Sequence, residues 1–246
     1  GDKAWLTFDV VGYILIGLIV TGIFIYQQTH ADVPLLNFSV FKHRVFTLSS
    51  ITNFVVIMGL YGGMILLPLF AQNVQGLTPM QSGMILLPGA LVMAALSPIT
   101  GILYDKMGAK ILSFTGLLIL TFGTYMFSLI DLETSMMYLA VMQVIRSFGL
   151  GLAMMPLQTD ALNDLPLELM SHGSAMYNTV RQIAGSIGTA LLVTVMSVST
   201  SNFAASNVGV SIQEASLHGI KVAYVVVTVI SLVAAFMCLM INKKVK

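Results

Sequence analysis

Arg146 and Arg181 each fall inside an apolar stretch long enough to cross a bilayer. A cation at mid-depth costs roughly 2.5–3.5 kcal/mol even on lenient insertion scales. Each must therefore meet a solute, a proton path, or carbonyls freed at a broken helix. Polar neighbours recur at helical spacing. Ser174, Asn178, Arg181 and Gly185 share one polar, small-residue face, with Gln182 beside it. Gln143 lies one turn before Arg146, and Asn53 and Tyr61 lie two turns apart in an earlier stretch. Such residues line paths through membranes, so Asn53, Tyr61, Gln143, Asn178, Arg181 and Gln182 are candidates for contact with a solute. For Arg146 a bracing role competes with this one. Gly149, Gly151 and Pro156 follow it, and a proline inside a helix leaves a carbonyl unbonded.

Other chemistry is excluded by what the chain contains. No Ser/His/Asp arrangement or phosphate-cradling loop stands out, so no catalytic residue is assigned. Cys238 is the lone cysteine, and the four histidines show no i, i+4 spacing, so neither a disulfide nor a metal site is expected. The carboxylates Asp105, Asp131, Glu133, Asp160, Asp164, Glu168 and Glu214 all fall at helix ends or in loops, Asp160 deepest. None is placed to titrate in mid-membrane, where proton coupling is usually carried. A net charge of +1 gives no electrostatic case for nucleic acid.

The elements that must position these residues are membrane helices. Hydrophobic residues make up 57% of the chain and charged ones 9%, and the mean hydropathy is +0.93. A spanning helix needs roughly 20 mostly apolar residues, which divides this chain into about seven. The fold class is therefore all-α integral membrane. Breakers and charges place the helices at 9–27, 45–72, 79–104, 109–130, 134–161, 169–199 and 217–241. Thr78, Pro79 and Gln81 predict a capped start for the third. Lys42, Arg44, Lys106, Lys110 and the closing Lys243, Lys244 and Lys246 fall on one side. The opposite side has only Lys3 in its loops, with Lys221 just inside the last helix, where it can snorkel. The positive-inside rule then puts the C-terminus in the cytoplasm. A light-sensing seven-helix fold is excluded, since Lys221 is too shallow for a Schiff base and no carboxylate lies centrally.

Several motifs carry a family resemblance. The stretch Gly101-Ile102-Leu103-Tyr104-Asp105-Lys106-Met107-Gly108-Ala109-Lys110 resembles the G-x-L-x-D-x-x-G-x-K/R loop of the major facilitator superfamily, with Ala109 where a basic residue is usual. Arg146-Ser147-Phe148-Gly149-Leu150-Gly151, with Pro156 after it, resembles that superfamily's R-x-x-G-x-G helix. Asn178-Thr179-Val180-Arg181-Gln182-Ile183-Ala184-Gly185-Ser186-Ile187-Gly188 is similar to the N-x-x-R-Q-x-x-G-x-x-G helix of its 14-helix drug:proton antiporter branch, the EmrB/QacA-type exporters. Pro34-Leu35-Leu36-Asn37-Phe38 and the segment from Gln72 to Pro88 agree with that branch as well.

This resemblance implies a domain plan and a function. Residues 1–44 would be a linker transmembrane helix with its cytoplasmic connection, and 45–246 the six-helix C-terminal half of a transporter. The expected function is a share in proton-coupled efflux of lipophilic or cationic compounds by alternating access. No cofactor is expected, the proton gradient being the energy source. The implied partners are the drug-like solute, protons, the N-terminal half and the bilayer, in a bacterial plasma membrane. Gly101, Asp105, Gly108 and Lys110 would latch the cytoplasmic gate, and Arg146 with Pro156 would brace the cavity. A facilitator of another cargo (a lipid or metabolite) and a non-transporting module that pairs with a separate N-half are the alternatives.

Overall fold

The computed structural model describes residues 8–31, 34, 36–207 and 209–241. Lys3, Leu35, Lys243, Lys244 and Lys246 lie outside the described residues. Among the described residues, six helices are long and apolar enough to cross a membrane. They are α1 (Phe8–His30), α2 (Arg44–Leu69), α3 (Pro79–Phe127), α4 (Met136–Asn163), α5 (Met170–Ser206) and α6 (Ile212–Leu239). No strand occurs among the described residues.

The third helix is two spans in one. Gly108 sits at φ 76°, ψ 163°, a left-handed conformation that favours glycine, and helical geometry resumes on either side. Gly89 of the first arm packs on Gln143 and Ser147 of α4, while Gly123 of the second arm packs on the Arg146 backbone. Both arms thus run beside the same turn of α4, which requires the chain to reverse midway between them, at Gly108. The 19 residues of the second arm (109–127) rise about 28 Å, close to the hydrocarbon thickness. Counting both arms, seven segments can span.

Helix ends follow side-chain chemistry. The Thr78 hydroxyl accepts from Gln81 N, and the Gln81 side chain accepts from Thr78 N, so the predicted capping box starts α3 with Pro79 in the first turn. A second capping box, Ser211 with Glu214, starts α6 at Ile212 rather than near residue 217. The sequence pattern S-x-x-E was legible there but polar enough to read as loop. Helix α5 runs to Ser206, past the expected end near 199, leaving a short turn before α6. Helix α2 ends at Leu69, just after Pro68, and a single π turn, Phe70–Val74, finishes the span.

Packing depends on small residues, as expected where lipid removes the hydrophobic drive between helices. A Cβ on Gly116 would lie 2.7 Å from Gly149 O and 2.9 Å from Ala153 N, so α3 and α4 meet backbone to backbone. Gly188 of α5 lies against the Met58 backbone of α2, and Gly219 of α6 against Met196 O of α5. By contrast, every side chain of α1 from Tyr13 to Gln27 is exposed. It is tied at its end by Leu36 N donating to Gln28 Oε1 at 3.1 Å.

Candidate functional site

The sequence-selected residues separate into a buried group and an outward-facing one. Arg146 is only 2% exposed. Its guanidinium lies against Gly63 of α2, where any side chain would overlap it, and Nη2 donates to Leu60 O at 3.5 Å. Its Nε has no hydrogen-bond partner. Gly59, one turn earlier on α2, meets Val227 of α6. Because α2 and α6 run in opposite directions, Gly63 comes level with Tyr224. Tyr224 in turn stacks on Phe127 of α3, ring centres 5.1 Å apart. Helices α2, α3 and α6 therefore enclose this guanidinium, and no solute reaches it without parting them.

Gln143 and Asn53 are buried too. Gln143 Nε2 donates to Ser147 Oγ at 3.5 Å, both side chains lying over Gly89. Asn53 is fully buried in α2. Pro156 is buried in α4.

Helix α5 presents the other group. Asn178 and Gln182 are exposed and Arg181 is half-buried, all near one face. Asn178 Nδ2 donates to Ser174 O at 3.1 Å. One turn beyond Arg181, Gly185 lies beneath the Tyr61 ring of α2, with Cδ1 3.1 Å from where a Cβ would stand. The structure thus brings Tyr61 to the border of the polar face of α5. It leaves Asn53, Gln143 and Arg146 inside the bundle.

A third arrangement forms at the end that carries Lys42, Arg44, Lys106 and Lys110, called the basic end below. Tyr104, Asp105, Gly108, Lys110, Asp160 and Ile241 line a cavity of about 490 Å³. Tyr104 OH donates to Asp160 Oδ1 at 3.5 Å and accepts from Asn163 Nδ2 at 3.5 Å. Asp105 and Gly108 are exposed, Gly101 and Lys110 half-buried. Sequence reasoning left two residues here without a role. Asp160 is 4% exposed and faces the loop motif, and Asp164 Oδ2 accepts from Val45 N at 3.2 Å, capping α2 from 119 positions away. Their i, i+4 spacing at the end of α4 was the available signal. Among the described residues, no group of three or more His, Cys, Asp or Glu could hold a metal ion.

Comparison with known proteins decides the family. The family model for the Major Facilitator Superfamily matches residues 25–189. The chain belongs to that superfamily. Among its relatives, the uncharacterized MFS-type transporter YhcA of Bacillus subtilis is 45% identical over 79% of this chain and 37% of its own length. The lincomycin resistance protein LmrB of Listeria monocytogenes is 34% identical over 99% of this chain and 52% of its own. The colistin resistance protein EmrB of Acinetobacter baumannii is 29% identical over 76% of this chain and 37% of its own. The chain thus spans about half, or less, of the curated relatives it matches. This membership makes it a membrane protein of a transporter family rather than an enzyme. The match also crosses all three arrangements: the loop at Gly101–Lys110, the Arg146 helix and the Arg181 helix.

Proposed function

We propose that this chain forms the C-terminal half of a proton-coupled multidrug exporter of a bacterial plasma membrane, moving lipophilic or cationic solutes by alternating access. The observation that carries this reading is the outward polar face of α5, where Asn178, Arg181 and Gln182 stand unenclosed beside Tyr61. Polar and cationic groups left facing outward from a membrane bundle line a solute path rather than lipid. Relatives named for resistance to lincomycin and colistin support drug-like cargo.

In this reading α1 is the linker helix and α2 to α6 the six-span half. The basic end faces the cytoplasm, in keeping with the excess of Lys and Arg there. The cavity under the Gly101–Lys110 loop belongs to the cytoplasmic gate, which Asp105 and Lys110 hold against the other half. Proton-binding carboxylates come from the N-terminal half, because those of this chain sit at helix ends.

Reconstitution tests this directly. Liposomes with the full-length protein should accumulate a cationic dye when a pH gradient is imposed, and liposomes with residues 1–246 alone should not. Gradient-driven accumulation by this chain alone would overturn the division of labour. Its absence with the full-length protein would overturn the exporter reading.

A further inference from the structure

We infer that Ser50, Asn53 and Tyr177 form an internal water-binding site on the seam between α2 and α5, toward the basic end of the bundle. The inference does not depend on the transport reading, since it rests on packing and hydrogen bonding alone. Phe46, Ser50, Asn53 and Ile57 recur at i, i+4, i+7 and i+11 and so share one face of α2. Phe46 fixes what that face meets, because a Cβ on Gly173 of α5 would lie 3.4 Å from its ring. Helices α2 and α5 run in the same direction. One turn further along each, Ser50 and Tyr177 therefore come level, and Asn53 follows on the same face.

All three side chains are sealed from the surface: Ser50 is 1% exposed, Asn53 0% and Tyr177 1%. Yet Ser50 Oγ, Tyr177 OH and both Asn53 Nδ2 and Oδ1 have no hydrogen-bond partner. Buried polar groups in native proteins are almost always bonded, to protein or to ordered water. The mixture of groups identifies the ligand. Asn53 alone leaves an amide donor and a carbonyl acceptor unmet, and the hydroxyls can do either. An anion would satisfy only the donors. A cation would satisfy only the acceptors, and it would sit near Arg181, one turn from Tyr177 on α5. Water does both, and a buried water commonly makes about three such bonds.

The site gives the seam a particular property. Nearer the opposite end the same two helices meet tightly, at Gly188 and Met58. The seam is thus hydrated at one end and closely packed at the other.

Hydroxyl-radical labelling by X-ray radiolysis in heavy-oxygen water reads such a site, because radicals made from a bound water oxidise the side chain beside it. The experiment uses the whole transporter in native membrane vesicles. Tyr177 should take up heavy oxygen several-fold faster than Phe70, an equally buried aromatic in an apolar cluster. Replacing Ser50→Ala together with Asn53→Leu should remove that excess while labelling of the half-buried Tyr104 stays unchanged. Where Tyr104 labelling shows the double variant to be misfolded, Ser50→Ala alone should lower the Tyr177 rate. Labelling of Tyr177 no faster than Phe70, or an excess that survives the substitutions in folded protein, would overturn the inference.

Discussion

Arg146 and Arg181 present the same signal in the sequence, a lone cation amid apolar residues, and the fold gives them opposite surroundings. Arg146 is covered by three other helices of its own chain and rests on a glycine that makes room for it. Arg181 stays half-buried beside the exposed Asn178 and Gln182. The difference arises from their neighbours on other helices. Gly63, Gly123 and Tyr224 close around α4 at Arg146, whereas near Arg181 the Tyr61 ring lies over Gly185 and leaves Asn178 and Gln182 exposed. A charge enclosed in this way can brace or couple helices, and one left on an open face can meet a solute. The three-residue spacing from Arg146 to Gly149 adds to the contrast, because the same helix face that buries the guanidinium also brings two backbones together.

That backbone seam should give the largest response to mutation. Gly149→Val would drive a branched side chain into Gly116 O, which lies 2.6 Å from the Cβ position. Overpacking of this kind costs about 1–3 kcal/mol where side chains can adjust, and more against backbone. Little monodisperse protein should survive detergent extraction in size-exclusion chromatography, and wild-type yield would break the account of the α3–α4 seam.

Arg146 comes next. Arg146→Ala empties the space over Gly63, and removing a long buried side chain costs about 2–5 kcal/mol. A clear loss of melting temperature is expected. Arg146→Met, which refills the space without charge, should recover most of it, as buried charges often tolerate apolar replacement. Failure of Met to rescue would mean that the charge itself is required, narrowing the gap between the two arginines. Outside both regions, Thr78→Ala removes one side of the α3 capping box and should cost only ~1 kcal/mol, measured as a small melting shift with drug binding unchanged.

Helix positions, the reversal between the third and fourth spans and the Thr78 cap were legible in the sequence, because breakers, apolar runs and capping residues act locally. The motif order likewise pointed to the superfamily. The burial of each polar residue was not legible. Asn53 and Asn178 look alike as asparagines in apolar helices, yet one is enclosed and the other exposed. Asp164 makes the same point, since its capping of Val45 joins the end of α4 to the start of α2. The start of α6 was missed for a different reason: the Ser211–Glu214 box is polar, and polarity there outweighed the cap signal.

One measurement tests the contrast most directly: the affinity of a fluorescent neutral drug with a carbonyl acceptor for full-length protein carrying Arg181→Gln or Arg146→Met, each checked for folding by its melting curve. A hydrogen bond to a charged group contributes about 1.5–3 kcal/mol, so losing it weakens binding roughly tenfold or more. Arg181→Gln should weaken drug binding by about that factor at an unchanged melting temperature, and Arg146→Met should leave affinity as it is. Unaltered affinity in Arg181→Gln, with a loss in Arg146→Met, would contradict the assignment of the open face of α5 as the solute path.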